Sequence, residues 1–272
     1  MTCNIGKKKF LIRKIFTIAL WVFMGVVNAQ AQLHMKTTLQ NMILWRGIEV
    51  ADGLILSSDL SVSDPSGMFA AGFLGGANTK GSYKELSQYI AYTHGRFQIK
   101  VIDTYNFSPG ATYNNNEFFN YKPDETGRFM DLMANYTGNR KFPLELSLST
   151  LIYGRDRDLY NNKNIYSSFV YVGYTIYQNE NLKVGSGVGT AFALRNSRNE
   201  SGEMVNRTMY AESAGITQVS LNVIYKLQIM EYEIPLTVMT YWNPKSNQGF
   251  SIQVCSSICL IYIKFGITFY SS

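Results

Sequence analysis

Residues 143–153 read Pro-Leu-Glu-Leu-Ser-Leu-Ser-Thr-Leu-Ile-Tyr, and this stretch decides the class of fold. Leu144, Leu146 and Leu148 alternate with one glutamate and two serines. Because successive side chains of a β-strand point to opposite faces, the alternation gives this strand one apolar and one polar face. The stretch therefore predicts a strand that lies between an apolar environment and a polar one.

The same alternation recurs after residue 36, in segments separated by clusters of Asn, Gly, Asp and Ser. Alternating segments of about ten residues are the signature of a membrane-spanning barrel. Beyond residue 31 no run of about 18 apolar residues occurs, which excludes a helical membrane protein. The sequence predicts an all-β fold, a closed up-and-down antiparallel barrel of twelve strands. The predicted strands are 38–48, 53–63, 68–77, 84–93, 96–106, 128–136, 143–153, 165–177, 182–192, 214–226, 233–242 and 257–269.

The first 31 residues have the order of regions found in a secretory signal peptide. A basic segment with five lysines and arginines precedes an apolar run from Ile15 to Val27, and Ala29-Gln30-Ala31 supplies small residues at a cleavage site. The apolar run is too short to span a bilayer. We expect residues 1–31 to be a cleaved signal peptide and residues 32–272 to be a single outer-membrane barrel domain.

The net charge of the chain falls once residues 1–31 are left out. The full sequence has 25 basic and 19 acidic residues, but five of the basic residues lie in 1–31, which leaves 20 against 19, or a net +1. A near-neutral domain gives no reason to expect nucleic acid as a partner. We expect outer-membrane lipid and small solutes as partners instead.

The predicted connectors alternate in length, which orients the barrel. Those after even-numbered strands are short, whereas those after odd-numbered strands include the long segments 108–127, 154–164 and 195–213. Bacterial barrels place short turns on the periplasmic side and long loops outside the cell. The alternation therefore predicts that both termini lie in the periplasm.

A soluble, lipocalin-like barrel is the alternative, since it shows the same alternation with the apolar face turned inward. Aromatic residues at the predicted strand ends favour the membrane barrel, because such barrels carry aromatic girdles at both interfaces. The predicted girdle consists of Tyr153, Tyr166, Tyr177, Tyr225, Tyr241 and Trp242.

Three short motifs resemble one family of bacterial outer-membrane proteins. The first predicted strand ends in Trp45-Arg46-Gly47, Tyr83 to Leu86 read Tyr-Lys-Glu-Leu, and Trp242 to Pro244 read Trp-Asn-Pro. These motifs resemble the TorF-like porin family, and the resemblance extends over most of the chain beyond residue 31. It implies a twelve-stranded barrel and a porin, and it implies no particular substrate.

The sequence does not predict an enzyme, although an outer-membrane lipid-modifying enzyme is kept as an alternative. Such an enzyme needs a nucleophile with a positioned base. The chain has only two histidines: His34, in a segment expected to be loose, and His94, in a predicted turn without a serine at the required offset. No residue spacing indicates a metal site or another cofactor.

Charged residues on the polar faces carry the functional prediction. By alternation, nine of them face inward as pore-lining candidates: Arg46, Asp59, Lys100, Asp131, Glu145, Lys183, Lys226, Glu233 and Lys264. Charges inside an open barrel set its ionic selectivity, and five basic against four acidic residues predict weak selectivity. The alternative is a plugged structural or adhesin-like surface barrel, in which the same charges form ion pairs.

The sequence also predicts where Trp45, Asp103 and one long loop lie in the barrel. Trp45 is expected to anchor the outer interface while Arg46 points into the barrel mouth. Asp103 falls on the lipid side by alternation, which requires either a place at the rim or a β-bulge. The loop from Ala111 to Asp124 is expected to fold inward as a constriction or to cover the top of the barrel.

Overall fold

The stretch that begins at Leu144 forms a strand of a closed barrel. The computed structural model describes residues 30–230, 232–246 and 249–266, and twelve antiparallel strands in it close into one sheet. The barrel strands are β1 (Gln30–Trp45), β2 (Ile48–Ser63), β3 (Phe69–Asn78), β4 (Lys84–His94), β5 (Phe97–Asn106), β6 (Arg128–Thr137), β7 (Leu144–Gly154), β8 (Ser167–Gln178), β9 (Leu182–Ala193), β12 (Gly215–Ile229), β13 (Tyr232–Trp242) and β14 (Ser251–Gly266). Two short strands, β10 (Ser197–Arg198) and β11 (Met204–Val205), form a separate ribbon.

Strands adjacent in sequence are adjacent in the barrel, and β1 closes it by pairing with β14. The predicted twelve-stranded, up-and-down antiparallel fold is therefore confirmed. Within the described residues, no helix is long and apolar enough to cross a membrane.

The alternation separates an apolar outer wall from a mainly polar inner wall. In β7, Leu146 and Leu148 are exposed on the outside, while Ser149 is only 1% exposed and points into the lumen. Residues opposite each other on neighbouring strands share a face, so the register carries this assignment around the barrel. Leucine, valine, isoleucine and phenylalanine exposed all round the outside form a continuous apolar surface.

The connectors divide the barrel into two ends. At what we call the turn end, the strands are joined by 64–68, 95–96, 138–143, 179–181 and 230–231. At the loop end, they are joined by 46–47, 79–83, 107–127, 155–166, 194–214 and 243–250. The predicted segregation of long loops to one end is present, although the two-residue connector Arg46–Gly47 lies among them.

The largest corrections to the predicted boundaries concern the first and last strands. β1 begins at Gln30 and ends at Trp45, so His34, expected in a loose segment, lies in a strand. β14 begins at Ser251 rather than at 257 and is a single long strand. Of the predicted signal segment 1–31, only Gln30 and Ala31 are among the described residues, and both belong to β1.

Aromatic side chains ring the outer wall at the turn end. The ring centroids of Phe69 and Tyr92 are 4.9 Å apart, and those of Phe97 and Tyr136 are also 4.9 Å apart. Of the predicted girdle residues, Tyr177, Tyr225 and Trp242 are exposed outside, and Tyr153 and Tyr166 lie beside the loops. Tyr241 is a correction: it is buried inside the barrel, opposite Ser220, because adjacent residues of one strand cannot both point outward.

Candidate functional site in the barrel lumen

The turn between β1 and β2 folds into the lumen instead of projecting from the rim. Arg46 and Gly47 both have positive φ angles, 51° and 105°, as a two-residue hairpin turn of the favoured kind requires. Register shifts between Gln40 and Met42 and between Ile43 and Leu44 interrupt the ladder just before the turn. Such bulges bend a strand and increase its local twist, which directs the hairpin tip inward.

The backbone of this turn is anchored on β12, three strands away around the barrel, and on the connector that follows β13. Thr217 of β12 donates its hydroxyl to the Arg46 carbonyl oxygen at 3.1 Å, and Asn243 donates its side-chain amide to the Gly47 carbonyl oxygen at 2.5 Å. A β-carbon at Gly47 would lie 2.5 Å from the Thr217 carbonyl oxygen, so the site admits only glycine without a rearrangement. The hairpin tip is therefore held inside the barrel between β1 and β12.

The side chain of Arg46 connects this turn to two further elements. Its guanidinium Nη2 forms a buried ion pair with Asp131 of β6, and its Nη1 donates to the hydroxyl of Tyr210 from loop 194–214. Burial raises the pKa of the Tyr210 phenol, so the hydroxyl stays protonated and accepts this bond as a neutral group. Arg46 thus joins β1, β6 and the long loop inside the barrel.

Aromatic packing completes the closure. The Trp45 ring stacks on Phe129 at 5.3 Å between centroids and meets Tyr210 edge-on at 5.0 Å. Phe129, Leu151, Phe169, Ala191 and Tyr210 form one buried cluster inside the barrel, and Trp45 packs against it. We call Trp45, Arg46, Gly47 and Tyr210 the plug. It lies in the loop-end half of the lumen, so Trp45 is inside the barrel and not at the outer interface where it was expected.

The turn-end half of the lumen carries partly exposed charged side chains, and we call it the vestibule. Its inner wall carries two ion pairs, Lys183 to Glu145 at 2.6 Å and Lys226 to Glu233 at 2.9 Å between the charged atoms. These side chains are partly exposed, unlike those of the plug. The vestibule therefore has polar walls and balanced charge.

A third polar group lies on the inner wall of β2, β4 and β5. Tyr89 donates its hydroxyl to Asp59 at 2.9 Å, and the Lys100 ammonium lies 3.9 Å from the centroid of the Tyr89 ring. Lys36 lies opposite Asp59 in the register of β1 and β2. Lys36 was not singled out from the sequence because it falls before the predicted first strand.

The structure places eight of the nine pore-lining candidates toward the inside. Arg46 belongs to the plug and Asp131 is its ion-pair partner, and six line the vestibule or the wall next to it: Asp59, Lys100, Glu145, Lys183, Lys226 and Glu233. Lys264 lies in β14 opposite Gln32, and its side chain lies outside the described residues. Among the eight, three pairs are in direct ionic contact.

Sequence reasoning missed Tyr210 of the plug and the two residues that anchor the turn, and their positions explain why. Tyr210 lies in a long loop without alternation, and Thr217 and Asn243 are ordinary polar residues near strand ends. Only their contacts across the lumen distinguish them. The one local signal was the Trp45-Arg46-Gly47 triplet itself, a glycine-containing turn between two strands.

Asp103 lies on the outer wall near the loop end of β5, as alternation predicted, and the β-bulge that was the other expected explanation is absent. No register shift occurs in β5 between Phe97 and Asn106. Instead, Arg128 of β6 binds the Asp103 carboxylate at 2.8 Å, and Tyr121 donates its hydroxyl to the same oxygen at 2.8 Å. Loop 107–127 folds down over the outside of the barrel and shields the pair from its surroundings.

The same loop also reaches the barrel mouth. The Arg155 guanidinium lies 3.6 Å from the centroid of the Tyr113 ring and 5.3 Å from that of Phe129 in the buried cluster. Burial raises the pKa of the Tyr113 phenol, which keeps this hydroxyl neutral. Loop 107–127 therefore contacts the outer wall through Tyr121 and the barrel mouth through Tyr113. The lumen itself is closed by the hairpin turn and Tyr210.

One contact bears on the enzyme alternative. His34 Nε2 and the Ser63 hydroxyl lie 3.2 Å apart on the inner wall at the turn end. Such a contact is one component of nucleophilic catalysis, which also requires a group that orients the base and donors for the oxyanion. His94, the other histidine, is exposed at the end of β4.

No family model and no curated protein matches the chain, so the resemblance to the TorF-like porins is not confirmed at the level of the family. Among solved structures, an outer membrane channel from Pseudomonas putida F1 is 10% identical with a TM-score of 0.38, covering 89% of this chain and 96% of that chain. A loop-deletion mutant of OmpT, an outer membrane protein of Vibrio cholerae, is 8% identical with a TM-score of 0.37, covering 86% of this chain and 100% of that chain. A mutant of the Rh. blastica porin is 8% identical with a TM-score of 0.34, covering 87% and 99%. None of these likenesses carries a function over to this chain.

Proposed function

We propose that this protein is an outer-membrane barrel that provides a passive route for small solutes and is closed, in the conformation described, by its plug. The continuous apolar outer wall supports a place in a membrane, because charge or polar backbone facing lipid is costly. The signal-like segment in 1–31 supports export. The balanced charges of the vestibule support weak selectivity for either sign of ion.

The observation that carries this proposal is the ion pair between Arg46 and Asp131. It ties a short hairpin turn to the far wall, and it lies between the vestibule and the loop end. A turn preceded by two register shifts in its own ladder is a separate local element of the wall. Its displacement would open the lumen without breaking the strand pairing of the rest of the barrel.

Single-channel recording in planar bilayers tests this function. The wild-type protein should conduct rarely, whereas the double variant Trp45→Ala/Arg46→Ala should show frequent, small conductance steps, because both side chains that fill the lumen are removed. The matched control is Trp242→Ala/Arg96→Ala, which removes a tryptophan and an arginine outside the lumen and should behave like the wild type. Conductance that is equal in all three proteins would contradict a closing role for the plug.

A closed structural or adhesin-like surface barrel is the second candidate. The observation that favours it is the buried aromatic cluster against which Trp45 packs, since Phe129 and Phe169 would narrow the lumen even with the hairpin displaced. Absence of conductance in the plug variant over many insertions, with a normally folded barrel, would favour this candidate over the channel.

We propose no catalytic role for the barrel. Ser63→Ala and His34→Ala test the remaining contact of the enzyme type. Phospholipid hydrolysis by the wild type and by both variants should equal that of a protein-free blank. Hydrolysis by the wild type that both substitutions abolish would establish a lipid-modifying enzyme instead.

A further inference from the structure

A cavity of about 130 Å³ lies in the vestibule wall between β7 and β13. Five consecutive strands of the barrel contribute to it: β7, β8, β9, β12 and β13. A single water needs only about 10–15 Å³ of such volume, so the cavity is large enough for a small organic ring. Its lining includes the Lys183–Glu145 ion pair, which lies on the vestibule side.

Glycines create this recess in the wall. Gly173 and Gly185 line the cavity, and a β-carbon at the neighbouring Gly187 would lie 2.0 Å from the Tyr171 hydroxyl oxygen. The Tyr171 ring therefore packs directly on the backbone of β9 instead of projecting across the lumen. Its aromatic surface forms part of the cavity lining, next to the buried cluster that contains Phe169.

The cavity contains an acceptor without a donor. The side-chain oxygen of Asn222 is buried and has no hydrogen-bond partner in the described structure. The register explains this, because the residues opposite Asn222 are Gly185, which has no side chain, and Met239, which has no donor. A buried polar atom without a partner is unfavourable, so a rotation of the Asn222 side chain that turns this oxygen toward a ligand hydroxyl would be stabilised.

The other polar groups in the lining narrow the class of ligand. Thr175 and Thr237 supply hydroxyl groups, which both donate and accept, while Lys183 and Glu145 neutralise each other. A ligand with a net charge would have to separate that ion pair. A neutral molecule with several hydroxyl groups satisfies Asn222 and the threonines, and its ring faces fit the aromatic surface of Tyr171.

We propose that this cavity binds a neutral polyhydroxylated molecule of monosaccharide size. The ligand donates a hydroxyl to the Asn222 side-chain oxygen and packs against Tyr171. It enters from the turn end, and in this respect alone the inference rests on the proposed function, in which the vestibule is open to that side.

Calorimetric titration of the full chain, folded in detergent, tests this with D-glucose as the probe. The wild type should give a saturable binding isotherm. Asn222→Leu should weaken binding about tenfold, the factor that corresponds to one hydrogen bond of about 1.4 kcal/mol. Asn222→Asp keeps an acceptor at the same place and should bind glucose nearly as well as the wild type.

The matched control is Asn135→Leu, an inner-wall asparagine outside the cavity whose side-chain oxygen already accepts from Ser147 at 2.7 Å. It should bind glucose like the wild type. Strand-dominated circular dichroism and a heat-dependent gel shift establish that each variant is folded. Binding that is unaffected by Asn222→Leu, no binding by the folded wild type, or L-alanine binding more tightly than glucose would each overturn the assignment. Because the titration needs no bilayer, a negative result leaves the conductance test of the plug intact.

Discussion

Arg128 and Asp103 form a buried ion pair on the outer wall of the barrel, with 2.8 Å between Nη1 and Oδ2. Arg128 also donates from Nε to the Phe118 carbonyl oxygen at 2.8 Å, and its guanidinium lies 4.1 Å from the centroid of the Phe118 ring. Phe118 and Tyr121 belong to loop 107–127, so the loop supplies the cover that this ion pair needs. An apolar wall therefore carries two charges because the chain itself shields them.

Asp103→Ala should destabilise the barrel by about 3–5 kcal/mol, because it leaves the Arg128 charge buried without its partner. Urea-induced unfolding in detergent measures this. Lys122→Ala is the control, since it breaks the exposed pair with Glu125 and should cost less than about 1 kcal/mol. The double variant Asp103→Leu/Arg128→Met removes both charges and should recover most of the loss. An unchanged unfolding midpoint for Asp103→Ala would show that the pair is not shielded.

Gly187→Ala should destabilise the barrel by about 1–3 kcal/mol through overpacking, because its β-carbon would overlap the Tyr171 hydroxyl. Tyr171→Leu in the same chain should restore part of the stability. Gly249→Ala is the comparison, since nothing lies within 4 Å of that position. Unfolding midpoints compare the stabilities of these three variants with that of the wild type. Equal midpoints for Gly187→Ala and Gly249→Ala would refute the packing of Tyr171 on Gly187.

Reversing Lys100, Lys183 and Lys226 to Glu in the Trp45→Ala/Arg46→Ala variant should move the reversal potential toward cation preference. Each reversal changes the charge beside the passage by two units, and the unmodified vestibule has no dominant sign. The measurement is the reversal potential under a salt gradient. Lys122→Glu, on the loop outside the wall, should have no such effect. An unchanged potential in the triple variant would mean that ions do not pass along this wall.

Asp64 should make the stability of the turn end depend on pH. The hydroxyl of Ser66 and the backbone amide of Phe69 donate to its carboxylate and hold the pKa of Asp64 below its usual range. This stabilisation is present above the unfolded-state pKa of about 3.9 and is lost as pH falls through the folded value. Asp64→Asn should therefore lower the urea midpoint at pH 6 and have less effect at pH 3. An equal decrease in the urea midpoint at pH 6 and pH 3 would show that protonation of Asp64 does not affect the stability of the turn end.

Proteolysis of intact cells should cut within 194–214 before it cuts within 107–127. Both connectors lie at the loop end, which we place outside the cell, but the second is held against the outer wall by Arg128 and Tyr121. Mass spectrometry of the released fragments locates the cuts. Cleavage confined to 138–143 or 179–181 would invert the proposed orientation.

The sequence predicted the barrel well because alternation and turn residues are local signals. Leu144 to Tyr153, for example, shows its two faces directly, and the structure gives a strand there of nearly the same extent. The predicted start of the first strand, residue 38, lies eight residues beyond its observed start, because Gln30 to Lys36 adjoin the signal-like segment. Their place in the barrel depends on pairing with β14, more than 200 residues away.

The plug could not be predicted from local patterns. The sequence pointed to Trp45 and Arg46, but alternation predicts only whether a strand residue faces inward or outward. It does not predict that the hairpin turn itself bends into the lumen. The partners Asp131, Tyr210 and Asn243 come from three distant parts of the chain. Their convergence is set by closure of the barrel and by two bulges, neither of which has a sequence signature.

The pairing of β1 with β14 has a consequence for how the barrel forms. Thr38 and Ser257 share a hydrogen bond of 2.8 Å between their hydroxyls across a separation of 219 residues. Contacts of such long range form late, since the entropy of closing so large a loop must be overcome first. Until then, both outermost strands present unpaired backbone, the feature that recruits other chains into aggregates. The pairing of β1 with β14 is therefore the step at which we expect assembly of this barrel to be slowest. It is also the step at which a chaperone would be most useful.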